Sequence, residues 1–463
     1  MKPINSGSKD LIKDLNFLTA IGIIYYLIFL QIFGGNFLVY LNVAFSLFLA
    51  FYLKNYFHNT IFFVPIIYLL FFDNPNSFIN FGGILIRPWY LFLLILFYLV
   101  IKNLINKKEQ IFIYLKNNLK IFFTITLFFI LNLIVMKDQN LFGFFHQFKT
   151  LIFSFGLIVL LVYLGRFENI NNIVLFTLYL VIFIFIWSII QKIFYELFYN
   201  FKINISGINF QHDWGTREVP AFFSERTWIG QFLFFGSLLS YYLFKNHNKN
   251  IYLFFIFFFC IGVFLSLSRS GIFPLILIGI YFLIKYTMFS RSQKNNYVII
   301  YIILFFLLTI IFLNFTNIIS LDSIISKIEN PIGHRKLIFI NFWSKLDQLS
   351  YIQILFGQGF NWNNEVTFWG SGMGSKSVNI IIRFFNIYGI FGLLIFLSLN
   401  FAYIKKIISL KNMNNFIEIS IILYIFYMSL ALFVPVHLYP PTHIFIIFSI
   451  IFLYAEENGK HKK

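Results

Sequence analysis

The sequence predicts an all-α fold: a polytopic integral membrane protein of about fourteen transmembrane helices with two long extracytoplasmic loops. Three observations predict this class. The chain is 60% hydrophobic and only 11% charged, against about 45–50% and about 25% in soluble domains. Its apolar residues form blocks of about twenty, the length that crosses a bilayer. Lysines fall in alternate breaks between those blocks. We therefore expect residues 1–463 to form a single membrane domain.

The predicted spans are the apolar blocks between polar breaks. The first block follows Lys2, Lys9 and Lys13 and has no small-residue cleavage site, so we expect an uncleaved span and not a signal peptide. In chain order the blocks are 16–33, 36–53, 60–72, 88–101, 119–136, 148–165, 171–198, 228–244, 250–267, 271–288, 297–315, 384–404, 416–434 and 442–455.

Lysine positions predict the orientation of these spans. With the N-terminus in the cytoplasm, the lysine-rich segments 102–120, 285–294 and 405–411 all fall on the cytoplasmic side, as does the C-terminus. The short outer turns 34–35 and 435–441 contain no lysine or arginine. This alternation follows the positive-inside rule along the whole chain. It predicts a multi-pass membrane protein with both termini in the cytoplasm.

Composition also excludes several functions. The formal net charge of +18 is explained by cytoplasmic lysines beside anionic lipid, so we expect no nucleic-acid partner. The one cysteine, Cys260, rules out an intrachain disulfide and a cysteine-based zinc site. The sequence has no phosphate-binding glycine loop, no histidine pair at metal spacing and no Asp-x-Asp pair. We therefore predict no metal, no cofactor and no nucleotide-sugar substrate.

Arginine and lysine separate to opposite faces of the predicted membrane domain. Lysine is mainly cytoplasmic, whereas Arg166 and Arg291 are the only arginines on that side. The arginines at or beyond the outer face are Arg87, Arg217, Arg226, Arg269, Arg335 and Arg383. A guanidinium binds phosphate through two parallel hydrogen bonds, which lysine does not reproduce. We favour a shared anionic ligand over the alternative, which is snorkelling of these arginines to lipid head groups.

Local sequence around three of these arginines supports an anion site. Arg269 lies in a Ser268-Arg269-Ser270-Gly271 turn before a span, and Arg87 precedes Pro88, a residue typical of a first helical turn. Helix N-termini bind phosphate, and an anion offsets the cost of a cation placed there. Asn379 and Arg383 lie one turn apart, on one helix face.

Two segments, 199–227 and 316–377, are too long for simple connections, and such segments are commonly functional. The first ends in Glu225 and Arg226, which are either a surface ion pair or part of a site. The second contains an amphipathic stretch, 334–349, which we expect to form a helix on the outer surface. All tryptophans except Trp187 lie on that side. An aromatic belt and sugar stacking both remain open as their role.

Several of these segments together resemble one protein family. They are Ala221-Phe222-Phe223-Ser224-Glu225, Ser268-Arg269-Ser270-Gly271, Arg335 with Trp343 and Gly357-Gln358-Gly359, and Asn379 with Tyr388-Gly389-Ile390-Phe391-Gly392. In this order they resemble signature segments of the O-antigen ligase and polymerase superfamily, integral membrane enzymes that use lipid-linked oligosaccharides. The likeness covers roughly 215–397. Arg226 stands where many relatives have proline. Val378 stands where ligases carry a histidine, which favours a polymerase.

The resemblance implies a metal-independent glycosyltransferase that polymerises undecaprenyl-pyrophosphate-linked oligosaccharide repeat units on the periplasmic face. Its expected partners are those lipid-linked oligosaccharides, membrane lipid and a chain-length regulator protein. The expected catalytic residues are Glu225, Arg269 and Arg335. The expected substrate-binding residues are Arg87, Arg217, Arg226, His334, Asn379, Arg383 and Trp343. An O-antigen ligase is the first alternative and a polysaccharide flippase the second, although a flippase would carry more charge at midplane depth than Lys192, Glu196 and Glu418 provide.

The orientation is tested by labelling single cysteines from either side of the membrane. Cysteines at positions 110, 210 and 365 are introduced into a Cys260→Ala background. Because the loop 102–120 is predicted inside and both long loops outside, we expect a membrane-impermeant maleimide added to intact cells to label 210 and 365 and to spare 110. Labelling of 210 or 365 from the cytoplasmic side alone would contradict the predicted map.

Overall fold

The computed structural model describes the helices and strands of the chain and parts of their connections. The described residues are 79–81, 84–86, 170–194, 227–266, 271, 274–281, 343–344, 346–357, 380–409, 415–431, 445, 448–449 and 451–453. The chain divides into two compact units, Met1–Trp89 with Arg166–Pro331 and Tyr90–Gly165 with Ile332–Lys463. Units of this kind also occur within one membrane domain, so the single-domain prediction stays a prediction.

The described regular structure is helical apart from one small hairpin in the first unit. Its strands are β1, Ile79–Phe81, and β2, Ile84–Ile86, paired antiparallel with Phe81 opposite Ile84. The sequence between them is Gly82-Gly83, and two glycines are typical of the tightest hairpin turns. This hairpin, which was not predicted, falls between the predicted spans 60–72 and 88–101.

Three helices form the described core of the first unit: α1, Ile170–Ile193; α2, Thr227–His247; and α3, Asn250–Leu265. α2 is the central helix, because residues 229–240 are buried on every side. It ends where Asn248 adopts a left-handed φ of 50° and donates its N–H to Phe244 O at 2.7 Å. Asparagine tolerates this conformation, which stops a helix and lets the chain reverse into α3.

Glycines set the distance between these helices. A Cβ at Gly236 of α2 would lie 2.6 Å from Val181 of α1, and one at Gly262 of α3 would overlap the ring of Phe185. These contacts also fix direction, since Val181 of α1 and Phe259 of α3 lie at Gly236 of α2, whereas Phe185 of α1 and Leu233 of α2 lie at Gly262 of α3. The three helices therefore run antiparallel in turn. Small residues at helix interfaces are typical of membrane proteins, where close packing replaces the hydrophobic effect between helices.

The second unit contains a 3-10 turn, Leu346–Gln348, and three helices: α4, Tyr351–Phe356; α5, Ile380–Ser409; and α6, Asn415–Ala431. Further helical residues are found at 445, 448–449 and 451–453. α5 is broken at Gly389, whose φ of 65° and ψ of −165° are not helical. Ring contacts pair Phe416 with Phe452 and Phe426 with Phe445, so α6 and the 445–453 segment are antiparallel.

The helices match the predicted spans wherever the structure describes them. Residues 170–193, 227–247, 250–265, 380–409 and 415–431 are helical, and so are the described residues within 271–288 and 442–455. In the described part of the chain, α1 over Val174–Gln191 and α5 over Tyr388–Ser409 are long and apolar enough to cross a membrane, and α3 and α6 are apolar but shorter. The other seven predicted spans lie outside the described residues, and the total of fourteen stays a prediction.

The packing of α3 on α1 is tested by adding one methyl group at Gly262. We expect Gly262→Ala to lower the thermal unfolding midpoint of the purified protein, because overfilling this contact costs about 1–3 kcal/mol. The matched control is Gly279→Ala, since a Cβ there meets nothing within 4 Å and alanine favours a helix. Adding Phe185→Leu should restore part of the loss. Equal midpoints for Gly262→Ala and Gly279→Ala would refute the close contact.

Candidate functional site

The first unit brings two of the predicted site segments to one end of its helices. Gly271 lies against the backbone of Gly230, and a Cβ at Gly271 would be 2.9 Å from the carbonyl carbon of Gly230. Only glycine allows one backbone to approach another so closely. Gly230 is in the first turn of α2, and Gly271 follows the turn after α3. The contact therefore joins the start of one predicted span to the start of another.

Chain connectivity limits how far the predicted site residues can lie from this contact. Arg226 directly precedes α2, so its Cα is within about 6–9 Å of Gly230 Cα. Arg269 is two residues before Gly271, within about 7 Å of its Cα. Glu225 and Arg269, predicted from separate motifs, thus belong to segments that meet at the Gly230–Gly271 contact. Their side chains, like that of Arg226, lie outside the described residues.

Buried amides lie at the same end of the helices. Gln191 is in the last turns of α1 and Gln231 in the first turns of α2, and both side chains are buried. Among the described residues, neither Oε1 atom accepts a hydrogen bond, although both residues have other interactions. Sequence reasoning missed these two residues, because it searched for charged groups. In the sequence, each is a single amide residue near the predicted outer end of an apolar block.

In the second unit, a similar glycine contact joins α4 to α5. A Cβ at Gly389 would overlap the carbonyl oxygen of Leu355 and lie 2.5 Å from Gly357 N. Both glycines have positive φ, 84° at Gly357 and 65° at Gly389. Gly357 also ends α4, donating its N–H to Gln353 O at 2.8 Å. Gly357, which the sequence indicated only as part of the Gly357-Gln358-Gly359 segment, therefore has a specific backbone role.

The other contacts of α4 lie along the first turns of α5. Leu346, Leu349 and Ile354 pack against Ile382 and Phe385. A capping box starts α4: Ser350 Oγ accepts from Gln353 N at 3.3 Å, and Gln353 Oε1 accepts from Ser350 N at 3.0 Å. The capping box and the Gly357 cap thus define the two ends of α4, and the apolar contact holds the end of the second long loop on α5.

Of the predicted residues of the second unit, the structure describes Trp343 and the backbone of Arg383. Arg383 is in the first turns of α5, between Ile382 and Phe385, and Asn379 directly precedes the helix. Trp343 is helical and 67% exposed, in agreement with a surface helix at that point of 334–349. His334, Arg335, Asn379 and the side chain of Arg383 lie outside the described residues. So do Arg87, which follows β2, and Arg217 in the first unit.

A polar cluster deep in the second unit was also missed. Ser420 Oγ donates to Ser449 O and Ser449 Oγ donates to Ser420 O, both at 2.7 Å. Each hydroxyl has one proton, and both serine protons go to carbonyls, so Tyr403 of α5 donates its proton to the nearer oxygen, Ser449 Oγ at 2.6 Å, and lies 3.0 Å from Ser420 Oγ. Nearby, Tyr424 donates to Asn400 Oδ1 at 2.7 Å. These closed networks join three helices and leave no proton for catalysis, so their role is structural.

The described residues contain no group of three or more histidine, cysteine, aspartate or glutamate side chains that would hold a metal ion. Comparison of the chain with protein-family models, curated protein sequences and solved structures finds no match. The chemistry of the site must therefore be argued from its own residues.

Proximity of the two segments of the first unit is tested by cross-linking. Cysteines replace Arg226 and Ser270 in a Cys260→Ala background, and a protease site is inserted between α2 and α3. We expect a short flexible bis-maleimide to keep the two fragments together on a denaturing gel after cleavage. The control pair replaces Arg226 and Asn250, which stand on the two fragments, because Asn250 begins α3 next to the far end of α2, about 30 Å from Arg226. Equal linkage of both pairs, or none of the first, would contradict the contact.

Proposed function

We propose that this chain is a multi-pass inner-membrane glycosyltransferase of about fourteen spans with both termini in the cytoplasm. It polymerises undecaprenyl-pyrophosphate-linked oligosaccharide repeat units into O-antigen or a related surface polysaccharide at the periplasmic face. The observation that carries the proposal is the Gly230–Gly271 contact. It supports one site for Glu225, Arg226 and Arg269, which come from two separate signature-like segments.

Exposed apolar surface supports the membrane setting. Past its break at Gly389, α5 turns a continuous row of large apolar side chains outward. They are Ile390, Phe391, Leu394, Leu397, Phe401, Ile404 and Ile408. A soluble monomer rarely exposes so long an apolar stripe, whereas a lipid-facing helix requires one. The antiparallel order of α1, α2 and α3 also agrees with the alternation that the lysine pattern demands.

The proposed reaction is a displacement at the anomeric carbon of the donor glycan. A hydroxyl oxygen of the acceptor sugar forms the new glycosidic bond, and the bond to undecaprenyl pyrophosphate breaks. The hydroxyl proton passes to the carboxylate of Glu225. The departing pyrophosphate takes the bonding electron pair, so the main catalytic need is to stabilise its negative charge.

Arginine meets this need better than lysine. Its planar guanidinium donates two parallel hydrogen bonds to phosphate oxygens and stays charged at every physiological pH. We assign this task to Arg269 and Arg217, which both belong to the first unit. By resemblance, Arg335 and Arg383 of the second unit bind the same ligand class. Arg87, Arg226, His334, Asn379 and Trp343 are assigned to binding of the lipid-linked glycan.

The deletion phenotype distinguishes polymerase from its two alternatives. In a host whose glycolipid carries O-antigen, deleting the gene of a polymerase should leave glycolipid with a single repeat unit, because export and ligation continue. Loss of a ligase would leave bare glycolipid and polymer on the lipid carrier. Loss of a flippase would leave bare glycolipid and single units on the cytoplasmic face. One gel with a carrier-lipid extraction separates these outcomes, and an unchanged polymer-length distribution would remove the proposal.

Arginine-to-lysine substitutions test the pyrophosphate site. We expect Arg269→Lys and Arg335→Lys each to lower polymer formation by on the order of tenfold or more, because lysine keeps the charge and loses the paired hydrogen bonds. Arg166→Lys and Arg291→Lys, which lie on the predicted cytoplasmic side, are the matched controls and should complement fully. Membrane insertion of all four variants is checked by immunoblot. Full complementation by Arg269→Lys and Arg335→Lys would mean that these two arginines only anchor the protein at the membrane surface.

A further inference from the structure

A short segment of the second unit presents large apolar side chains away from the helix on which it packs. Tyr351, Ile352 and Leu355 of α4 are 87%, 57% and 40% exposed, and Trp343 just before α4 is also exposed. The three α4 residues are at helical positions i, i+1 and i+4, so they share one face. We call Tyr351, Ile352 and Leu355 the apolar ledge.

The opposite side of α4 is fixed, so the apolar ledge cannot turn inward. Ile354 packs against Ile382 and Phe385, and the ring centroid of Phe356 is 5.3 Å from that of Phe391. The backbone contact between α4 and Gly389 holds the segment from a third direction. Three large apolar side chains thus stay exposed on a helix whose position is determined by its packing.

The level of α4 along α5 indicates what covers the apolar ledge. α4 meets α5 at Gly389, next to the start of the apolar span Tyr388–Ser409. From Gly389 to Lys405 the helix rises about 24 Å, close to the thickness of a bilayer core of about 30 Å. Lys405 is exposed and basic, as expected at a membrane–water boundary. Gly389, and α4 with it, then lies at the opposite boundary.

The apolar ledge is also continuous with the lipid-facing stripe of α5. Leu355 contacts α5 at Gly389, and exposed Ile390 and Phe391 follow at once. Tryptophan and tyrosine prefer the headgroup level of a bilayer, because each combines a large apolar ring with a polar donor. Surface continuity, depth and side-chain type therefore point to the same occupant, which is lipid.

We propose that the apolar ledge inserts into the outer leaflet of the bilayer, at the boundary between head groups and acyl chains, and anchors the end of the second long loop to the membrane. The inference rests on the proposed membrane topology. As a consequence, α4 lies at the bilayer surface where α5 breaks, beside the half-helix that contains Arg383. Lipid-linked substrates would approach the protein at this same depth.

The test measures the depth of single side chains in the full chain reconstituted in lipid nanodiscs. An environment-sensitive fluorophore is attached to a cysteine at Ile352 in a Cys260→Ala background. We expect a spin label near the lipid head group to quench it severalfold more than a water-soluble paramagnetic quencher does. Gln348, which is exposed in the 3-10 turn and outside the apolar ledge, is the matched control and should respond mainly to the water-soluble quencher.

A third label separates failure of this inference from failure of the membrane topology. Leu397, exposed midway along α5, should be quenched by a spin label deep in the acyl region. If Leu397 is quenched by deep lipid labels and Ile352 responds as Gln348 does, the membrane span stands and the apolar ledge is in water, which overturns the inference. Protection of Ile352 from both kinds of quencher would mean that protein covers it, with the same result. If lipid quenches neither Leu397 nor Ile352, both proposals fail.

Discussion

Close approach of backbones at glycine is the constraint on which the rest of this structure depends. At four of the described glycines an added Cβ would overlap a neighbouring segment: Gly236 and Gly262 inside the first unit, Gly271 at its end, and Gly389 in the second unit. Lipid is as apolar as leucine, so helices in a bilayer gain little from burying leucine against leucine. Dispersion contacts between closely packed surfaces provide the attraction instead, and they require small residues.

These contacts set the spacing at the middle of the helices and fix the predicted site segments at their ends. Gly236 and Gly262 fix the spacing within the core, whereas Gly271 and Gly389 each fix a segment that carries or adjoins a predicted arginine. The Gly389 conformation is one that essentially only glycine adopts, and it divides α5 into a short half-helix and an apolar span. A broken helix at membrane depth is acceptable when protein covers the freed backbone groups, and α4 lies over this break.

Several polar side chains within the helices form their hydrogen bonds inside the same helix. Ser188, Ser237 and Ser429 each donate to a carbonyl one turn earlier in the same helix, so they cost little when buried and join nothing. Ser420 and Ser449 differ, because they exchange hydrogen bonds between helices, and Ser449 Oγ also accepts a hydrogen bond from Tyr403. From sequence alone the two kinds of serine look alike.

The sequence by itself determined where the helices are. Runs of apolar residues give five of the predicted spans as helices within about five residues at each end, because a helix that satisfies its own backbone is the stable form of such a run. It also nominated Glu225, Arg269 and Trp343 from local motifs. Only the tertiary structure decided that Gly230 meets Gly271, that Gly389 breaks a helix and that Ser420 pairs with Ser449. Each of these depends on which surfaces meet, and a single glycine or serine in an apolar run gives no indication of the partner it will contact. A hydrophobic pattern can be recognised within one segment, whereas a tertiary contact depends on two segments that are distant in sequence.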